Sequence, residues 1–258
     1  MDRLATKVAL ISGGARGMGA AHARAIVAEG GRVVIGDVRD EEGEHLAREL
    51  GPTALYAHLD VTSAEAWEAA VALAEREFGS LSALVNNAGI TNFGAIGKYS
   101  EQDWETVLRI NLTGCFLGIT AALPALKRAT PSSIVNISST AGLQGSAELH
   151  GYTAAKWGVR GLTKSVAMEV GVDGVRVNSV HPGVVHTPMI SGYDVSALGG
   201  GALGRGAEPE EISALVVYLV SDESSFVTGA EFVIDGGMTA GTPAFGPVKD
   251  HQDTRPNR

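Results

Sequence analysis

A single cysteine, Cys115, stands in a chain of 258 residues. One thiol can close no internal disulfide and build no cysteine-rich metal centre, so a reducing compartment is the expectation. Its apolar setting, Leu112-Thr113-Gly114-Cys115-Phe116-Leu117, suits a buried structural thiol better than a nucleophile. Positive charge is also scarce. Twenty Lys and Arg against 29 Asp and Glu leave a net charge of −9, which argues against nucleic acid or an anionic membrane as the main partner. Apolar runs such as Ala214 to Val220 fall well short of the ~18 residues of a membrane span. The first residues, Met1 to Ala5, carry Asp2 and Arg3 with no long hydrophobic signal region behind them. A cytoplasmic protein is expected. The histidines lack His-x-x-x-His or similar ligand spacing, so His150, His181 and His186 are not expected to hold a metal. There is no internal repeat and no linker, which leaves one domain.

What the chain does have is alternation. Short β-branched runs at 8–11, 32–36, 54–58, 84–86, 133–137, 175–180 and 231–234 read as strands. Between them lie helical patterns, one ending near 29 and others at 41–50, 64–78, 101–128, 151–170 and 209–220. In the third of these, Trp67, Val71 and Ala74 fall at helical spacing. Strands alternating with helices predict a parallel sheet of about seven strands covered on both faces. The stretch 190–206 breaks the rhythm with Gly199-Gly200-Gly201 and reads as a mobile lid. The tail, 240–258, has three prolines and little apolar content and reads as irregular.

Chemistry gathers at the ends of the expected strands. Ser12-Gly13-Gly14-Ala15-Arg16-Gly17-Met18-Gly19 follows the first strand and opens the first helix. Glycines there let a backbone approach a pyrophosphate, and a helix N-terminus attracts its charge. Asp37 ends the second strand, where a carboxylate can accept from the adenosine ribose hydroxyls and repel the extra phosphate of NADP. NAD is therefore expected over NADP, although Arg16 and Arg39 could pair with such a phosphate. Asp60-Val61 follows the third strand and can reach an adenine edge. Asn86-Asn87-Ala88-Gly89 follows the fourth, with small residues where a cofactor must pass.

Tyr152 and Lys156 are four apart, with Ser139 thirteen residues before the tyrosine. A phenol with an ordinary pKa near ~10 is a poor acid–base group near neutrality unless a cation favours its phenolate. Residues four apart on a helix share a face, with Cβ atoms roughly 5–6 Å apart, so Lys156 can be that cation.

These segments, together with Asn111, Ser138-Ser139 and Arg176-Val177-Asn178-Ser179-Val180-His181-Pro182-Gly183, make the chain resemble the short-chain dehydrogenase/reductase family from about Thr6 to Gly237. Within it the chain is most similar to bacterial NADH-dependent 3α(20β)-hydroxysteroid dehydrogenases. The resemblance implies a Rossmann-type doubly wound α/β fold, a homotetramer, and a small-molecule substrate. It implies that Tyr152 is the general acid–base and that Lys156 lowers its pKa and binds the nicotinamide ribose. It also implies that Ser139 holds the substrate oxygen, with Ser138 as runner-up. Asn111 would hold a water linking Lys156 to solvent, and Val185 and Thr187, after Pro182-Gly183, would meet the nicotinamide amide. An asparagine between Ile110 and Leu112 needs a buried partner, which agrees with such a role.

The implied reaction is reversible oxidation of a secondary alcohol to a ketone, hydride passing to NAD as Tyr152 takes the hydroxyl proton. Leu143, Leu149, Met189, Ile190, Tyr193, Val195 and Leu198 are candidates for an apolar pocket and lid suited to a steroid or another bulky alcohol. Rival readings are a 3-oxoacyl-carrier-protein reductase, a small- or sugar-alcohol dehydrogenase, and a dinucleotide-sensing protein with a dead site. The sensor would have no need for Ser139, Tyr152 and Lys156 together.

Overall fold

The computed structural model describes residues 2–191 and 201–241. Seven strands form one parallel sheet: β1 (Val8–Ser12), β2 (Arg32–Asp37), β3 (Ala54–His58), β4 (Ala83–Asn86), β5 (Ser132–Ile137), β6 (Val175–Pro182) and β7 (Glu231–Ile234). Their order in space is β3-β2-β1-β4-β5-β6-β7. The crossovers are helices α1 (Gly17–Ala28), α2 (Asp40–Leu50), α3 (Ala64–Phe78), α4 (Glu101–Leu108), α5 (Gly114–Arg128), α6 (His150–Val170) and α7 (Pro209–Val220).

Alternation of side chains along each strand divides the core in two. Leu10, Val34, Leu84, Ile134 and Val177 pack with α3, α5 and α6 through Trp67, Ala74, Ile119, Leu126 and Val159. Ile11, Val33, Ile35, Val85 and Val135 pack on the other face with α1, α2 and α7 through Ile26, Leu46, Ile212 and Val216. Both faces are thus buried, which explains why the strands read as continuous apolar runs rather than alternating ones. Trp67 is wholly buried, and its Nε1–H donates to the Val61 carbonyl at 3.1 Å. Strand order reverses between β1 and β4, which opens a crevice beyond their carboxyl ends.

One element departs from expectation. The helix expected over 101–128 is continuous but has a π-helical turn, Arg109–Thr113, between α4 and α5. Pro124 sits inside α5, near its end. Glu101–Arg128 is also long and apolar enough to cross a membrane by length and composition, with a mean hydropathy of 1.5 in its most apolar window. Runs of consecutive apolar residues do not reveal this, because the apolarity is spread along the helix. Cys115, Ile119, Ala122, Ala125 and Leu126 place one side of it in the core.

Of the expected lid, short 3-10 turns at Pro188–Ile190 and Gly201–Leu203 are described. Val185 bridges Ala207 across the base of that segment. Tyr193, Val195 and Leu198 lie outside the described residues, as does the tail beyond Gly241.

Candidate active site

The first half of the site is a cleft over the β1–β4 crevice, enclosing about 1010 Å³ of open space. Gly13, Arg16, Gly17, Met18, Asp37, Asn87, Ala88, Gly89 and Thr187 line it, all nine expected from sequence. Gly13 adopts φ +61, and a Cβ there would lie 2.8 Å from the Ala88 Cα. The glycine therefore permits both the turn and the close approach of two loops. Gly19 serves the loop differently, since a Cβ there would collide with the Gly13 carbonyl oxygen at 2.0 Å. Ser12 staples the same two loops, its hydroxyl accepting from the Asn87 and Ala88 N–H groups at 3.1 and 3.2 Å. Asn87 returns the bond by donating Nδ2 to the Gly13 carbonyl at 2.9 Å.

These residues fit a nicotinamide dinucleotide. The first turn of α1 carries no acidic residue and no side-chain cap, so its N–H groups suit an anion. Asp37 is buried beside the cleft. Its carboxylate accepts from the Ala15 N–H at 3.0 Å and from the Arg39 N–H at 3.1 Å. The Arg39 guanidinium pairs with Glu42 at 3.3 Å.

Five expected cofactor residues, Asp60, Val61, Pro182, Gly183 and Val185, lie outside the lining of this cleft. Asp60 is exposed, and its Oδ1 accepts from the N–H and hydroxyl of Thr62, both at 2.8 Å. These bonds hold its carboxyl below the usual range, and Leu59 lines the cleft in its place. Val61 faces a small cavity beneath the cleft, shared with Ser12, Asn86, Asn111, Cys115 and Ile137. Pro182, Gly183 and Val185 line the adjoining candidate substrate pocket, and Thr187 borders both spaces.

Ser139 and Tyr152 line the adjoining apolar pocket, while Asn111 and Lys156 lie behind the cleft, where a Cβ on Gly89 would come within 3.3 Å of Asn111 Oδ1 and 3.7 Å of Lys156 Nζ. Asn111 sits in the π-turn, almost fully buried, and both ends of its amide bind one residue: Nδ2 donates to the Ile90 carbonyl at 2.9 Å and Oδ1 accepts from the Ile90 N–H at 2.8 Å. Lys156 is buried, donates Nζ to the Ile137 carbonyl at 2.8 Å, and lies 5.5 Å from the centroid of the Tyr152 ring. Burial lowers its pKa to about 8. Burial also pushes the Tyr152 phenol up, opposed by a hydrogen bond with Ser139. In the free protein the phenol is therefore raised, the opposite direction to the depression expected from Lys156.

Ser138 and Ser139 separate cleanly. Ser138 is buried and donates to the Lys156 carbonyl at 3.0 Å, so it supports the helix that carries the lysine. Ser139 leads into the 3-10 turn Thr140–Gly142, and its hydroxyl accepts from the Ala141 N–H at 3.1 Å. His181 fixes its main chain. Nδ1 donates to the Ser139 carbonyl at 3.1 Å, and Nε2 takes the Ser179 hydroxyl proton at 2.9 Å. That pairing places the imidazole proton on Nδ1, and burial keeps the ring's pKa down. Cys115 is buried, with its thiol pushed up to about 12, which suits a structural role.

The second half of the site is a candidate substrate pocket, about 1190 Å³ of open space lined mainly by apolar groups. Leu149, Met189 and Ile190 line it as expected. Leu143 does not; it caps the 3-10 turn, and Thr140 and Ala141 take the lining positions instead. Sequence reasoning missed Thr91, Phe93, Val184 and Met238. Thr91 and Phe93 arrive on the loop after β4, which is tied across the pocket rim by the Gly94 N–H donating to the Glu148 carbonyl at 3.0 Å. Met238 arrives from beyond β7. No local sequence signal marks either approach, although the glycine pair 236–237 after the last strand marks a sharp turn.

Comparison with known proteins agrees with this geometry. A family model described as enoyl-(acyl carrier protein) reductase matches residues 13–239. A 3-alpha-(or 20-beta)-hydroxysteroid dehydrogenase of Mycobacterium tuberculosis is 58% identical over 239 residues, covering 93% of this chain and 92% of the relative. A trans-4-hydroxycyclohexanecarboxylate dehydrogenase of Sinomonas cyclohexanicum is 52% identical over 93% of this chain and 95% of the relative. A cyclopentanol dehydrogenase of Comamonas testosteroni is 42% identical over 93% of this chain and all of the relative. The chain belongs to the short-chain dehydrogenase/reductase family. It is an enzyme of the class that acts on CH–OH groups with a nicotinamide dinucleotide.

Proposed function

We propose that the enzyme interconverts a secondary alcohol and a ketone on a bulky apolar skeleton, a hydroxysteroid or a similar alicyclic compound, using NAD(H). The observation that carries this reading is the pairing of Ser139 and Tyr152 in the lining of an apolar pocket, with Lys156 Nζ 5.5 Å from the centroid of the Tyr152 ring, beside a cleft that shares Met18, Thr187 and Met189 with that pocket. The bound nicotinamide supplies the hydride acceptor or donor. The protein's own groups handle the oxygen and its proton. Ser139 holds the substrate oxygen, and Tyr152 Oη takes the hydroxyl proton in oxidation or returns one in reduction. Lys156 favours the phenolate and, with Asp37, Gly13 and Gly17, holds the cofactor. The cavity that joins Asn111 to Ile137, whose carbonyl accepts from Lys156, supports a water-borne proton path to the lysine.

Asp37 supports NAD over NADP, because a buried carboxylate at the ribose position repels a phosphate. Exposed Trp104, Phe116, Trp157 and Met168 on α4, α5 and α6, with Phe226 and Val233 near β7, support assembly as a homotetramer. A buried unpaired thiol and a nicotinamide cofactor suit the cytoplasm.

The test is the Tyr152→Phe variant. General acid–base groups contribute about 10²–10⁴-fold, so turnover of a hydroxysteroid should fall at least that far while cofactor affinity, read by fluorescence titration, stays near normal. Retention of half the activity would sink the assignment. Parallel assays with NADH and NADPH should show at least about a tenfold preference for NADH in kcat/KM, roughly the effect of one unfavourable charge contact.

A further inference from the structure

We infer that the substrate is an uncharged ring alcohol, and that the pocket discriminates against a ring bearing a carboxylate. This rests on the dehydrogenase reading above and concerns the same site. Among the described residues, the pocket lining contains no Lys, Arg, His, Asp or Glu. Its walls are Met18, Met189 and Met238 with Phe93, Leu149 and Ile190. The polar groups are hydroxyls, among them Ser139 and Tyr152 at the reacting end and Thr91, Ser146 and Thr187 elsewhere. A hydroxyl can donate one bond to a carboxylate but cannot neutralise it. Taking a carboxylate out of water without a counter-charge is far costlier than burying its neutral ester.

Lys156, Arg205 and Arg16, cations on neighbouring elements, are paired or placed outside this lining. Lys156 donates to Ile137 beneath the tyrosine. Arg205 forks onto Glu211 at 2.7 and 2.8 Å. Arg16 borders the dinucleotide cleft, not this pocket. The three methionines point the same way. Unbranched thioethers adapt to rings of different outline, so they relax the demand on shape while adding nothing for charge.

Met238 is the position at which this selectivity can be rewritten. The Asp235 carboxylate accepts from the Gly237 N–H at 2.8 Å and from the N–H and hydroxyl of Thr239, both at 2.7 Å. Gly236 and Gly237 take φ +64 and +84. This turn, and not the side chain of Met238, sets the backbone, so a longer cationic side chain can replace the thioether.

The experiment compares kcat/KM for trans-4-hydroxycyclohexanecarboxylate, its methyl ester and trans-4-methylcyclohexanol, with saturating NAD and, separately, NADP. The ester and the methyl compound should be oxidised comparably, and the acid at least about tenfold less well. Met238→Arg should raise the acid-to-ester ratio at least about fivefold, a ratio that general damage to the fold would leave unchanged. Acid oxidised as well as ester by the unaltered enzyme overturns the inference while leaving the dehydrogenase reading intact. Failure to oxidise any of the three, or a hydroxysteroid, overturns both. If Met238→Arg does not fold, the comparison in the unaltered enzyme still decides.

Discussion

Tyr152 is held in surroundings that oppose the charge its proposed acid–base role requires. Burial favours the neutral phenol, and the Ser139 hydrogen bond offsets this only in part. The free enzyme therefore holds a protonated tyrosine, the form that donates to a ketone. Oxidation needs the phenolate. The sign follows: kcat/KM for alcohol oxidation should climb with pH as Tyr152 ionises, and kcat/KM for ketone reduction should decline over the same range. Lys156 supplies the nearest cation, so Lys156→Met should move the oxidation limb to higher pH. Lys156, lowered to about 8 by burial, loses part of its own charge at the alkaline end, which flattens the limb in the unaltered enzyme. Matched pH profiles of the two directions in both proteins test this, and an unmoved limb in the variant would count against the lysine's role.

At the scale of elements, the sheet and its crossovers are legible in the sequence because each strand is buried on both faces and each helix on one. The nine cleft residues are legible for a related reason: parallel strands deliver the loops at their carboxyl ends to one edge. The π-turn at Arg109–Thr113 is not, since its residues continue the same apolar helical pattern and only the Gly114 N–H donating to the Arg109 carbonyl, five residues back, reveals it. Asp60 sits outside the cleft lining, its Oδ1 satisfied locally by a threonine two residues on. Phe93 and Met238 reach the pocket through tertiary routes that no spacing encodes. Packing of α5 offers a test of how tightly these elements are set. A Cβ at Gly118 would lie 2.6 Å from Asn86 Oδ1 and 2.7 Å from the Trp67 ring. Gly118→Ala should therefore cost about 1–3 kcal/mol, the usual range for overpacking, measured by urea denaturation. An unchanged midpoint would mean that α3 and α5 are looser than they look.

Across the whole molecule, acid sensitivity has a definite source. His22 on α1 is fully buried against α7, with Nδ1 2.8 Å from the Ser213 hydroxyl oxygen. Ser213 in turn donates to the Pro209 carbonyl at 2.9 Å, so it accepts from an imidazole protonated on Nδ1. Burial lowers the His22 pKa from 6.5 to about 3. Between those values the unfolded chain binds a proton that the folded chain refuses, so stability is full above about 6.5 and drains away as pH falls toward 3. At 1.36 kcal/mol per unit the loss from this residue reaches roughly 5 kcal/mol. His22→Leu leaves Ser213 bonded to Pro209 and removes the titration. Its unfolding free energy should fall less steeply with acid than that of the unaltered enzyme, as denaturant melts at pH 7, 6, 5 and 4 would show. Equal slopes would place the acid weakness elsewhere.

The two hydrogen bonds that the Asp37 carboxylate accepts have a consequence for how this enzyme could change. The carboxylate that supports the choice of NAD is also the anchor for the Ala15 and Arg39 N–H groups, and so for the shape of the glycine loop and the start of α2. Any replacement that admits a phosphate must also find new acceptors for two main-chain donors. The proposed preference for NAD would thus be tied to the integrity of the loop, and a route to NADP would pass through weakened intermediates unless a second substitution arrived first. Preference of this kind is hard to lose by drift and hard to alter by design one residue at a time.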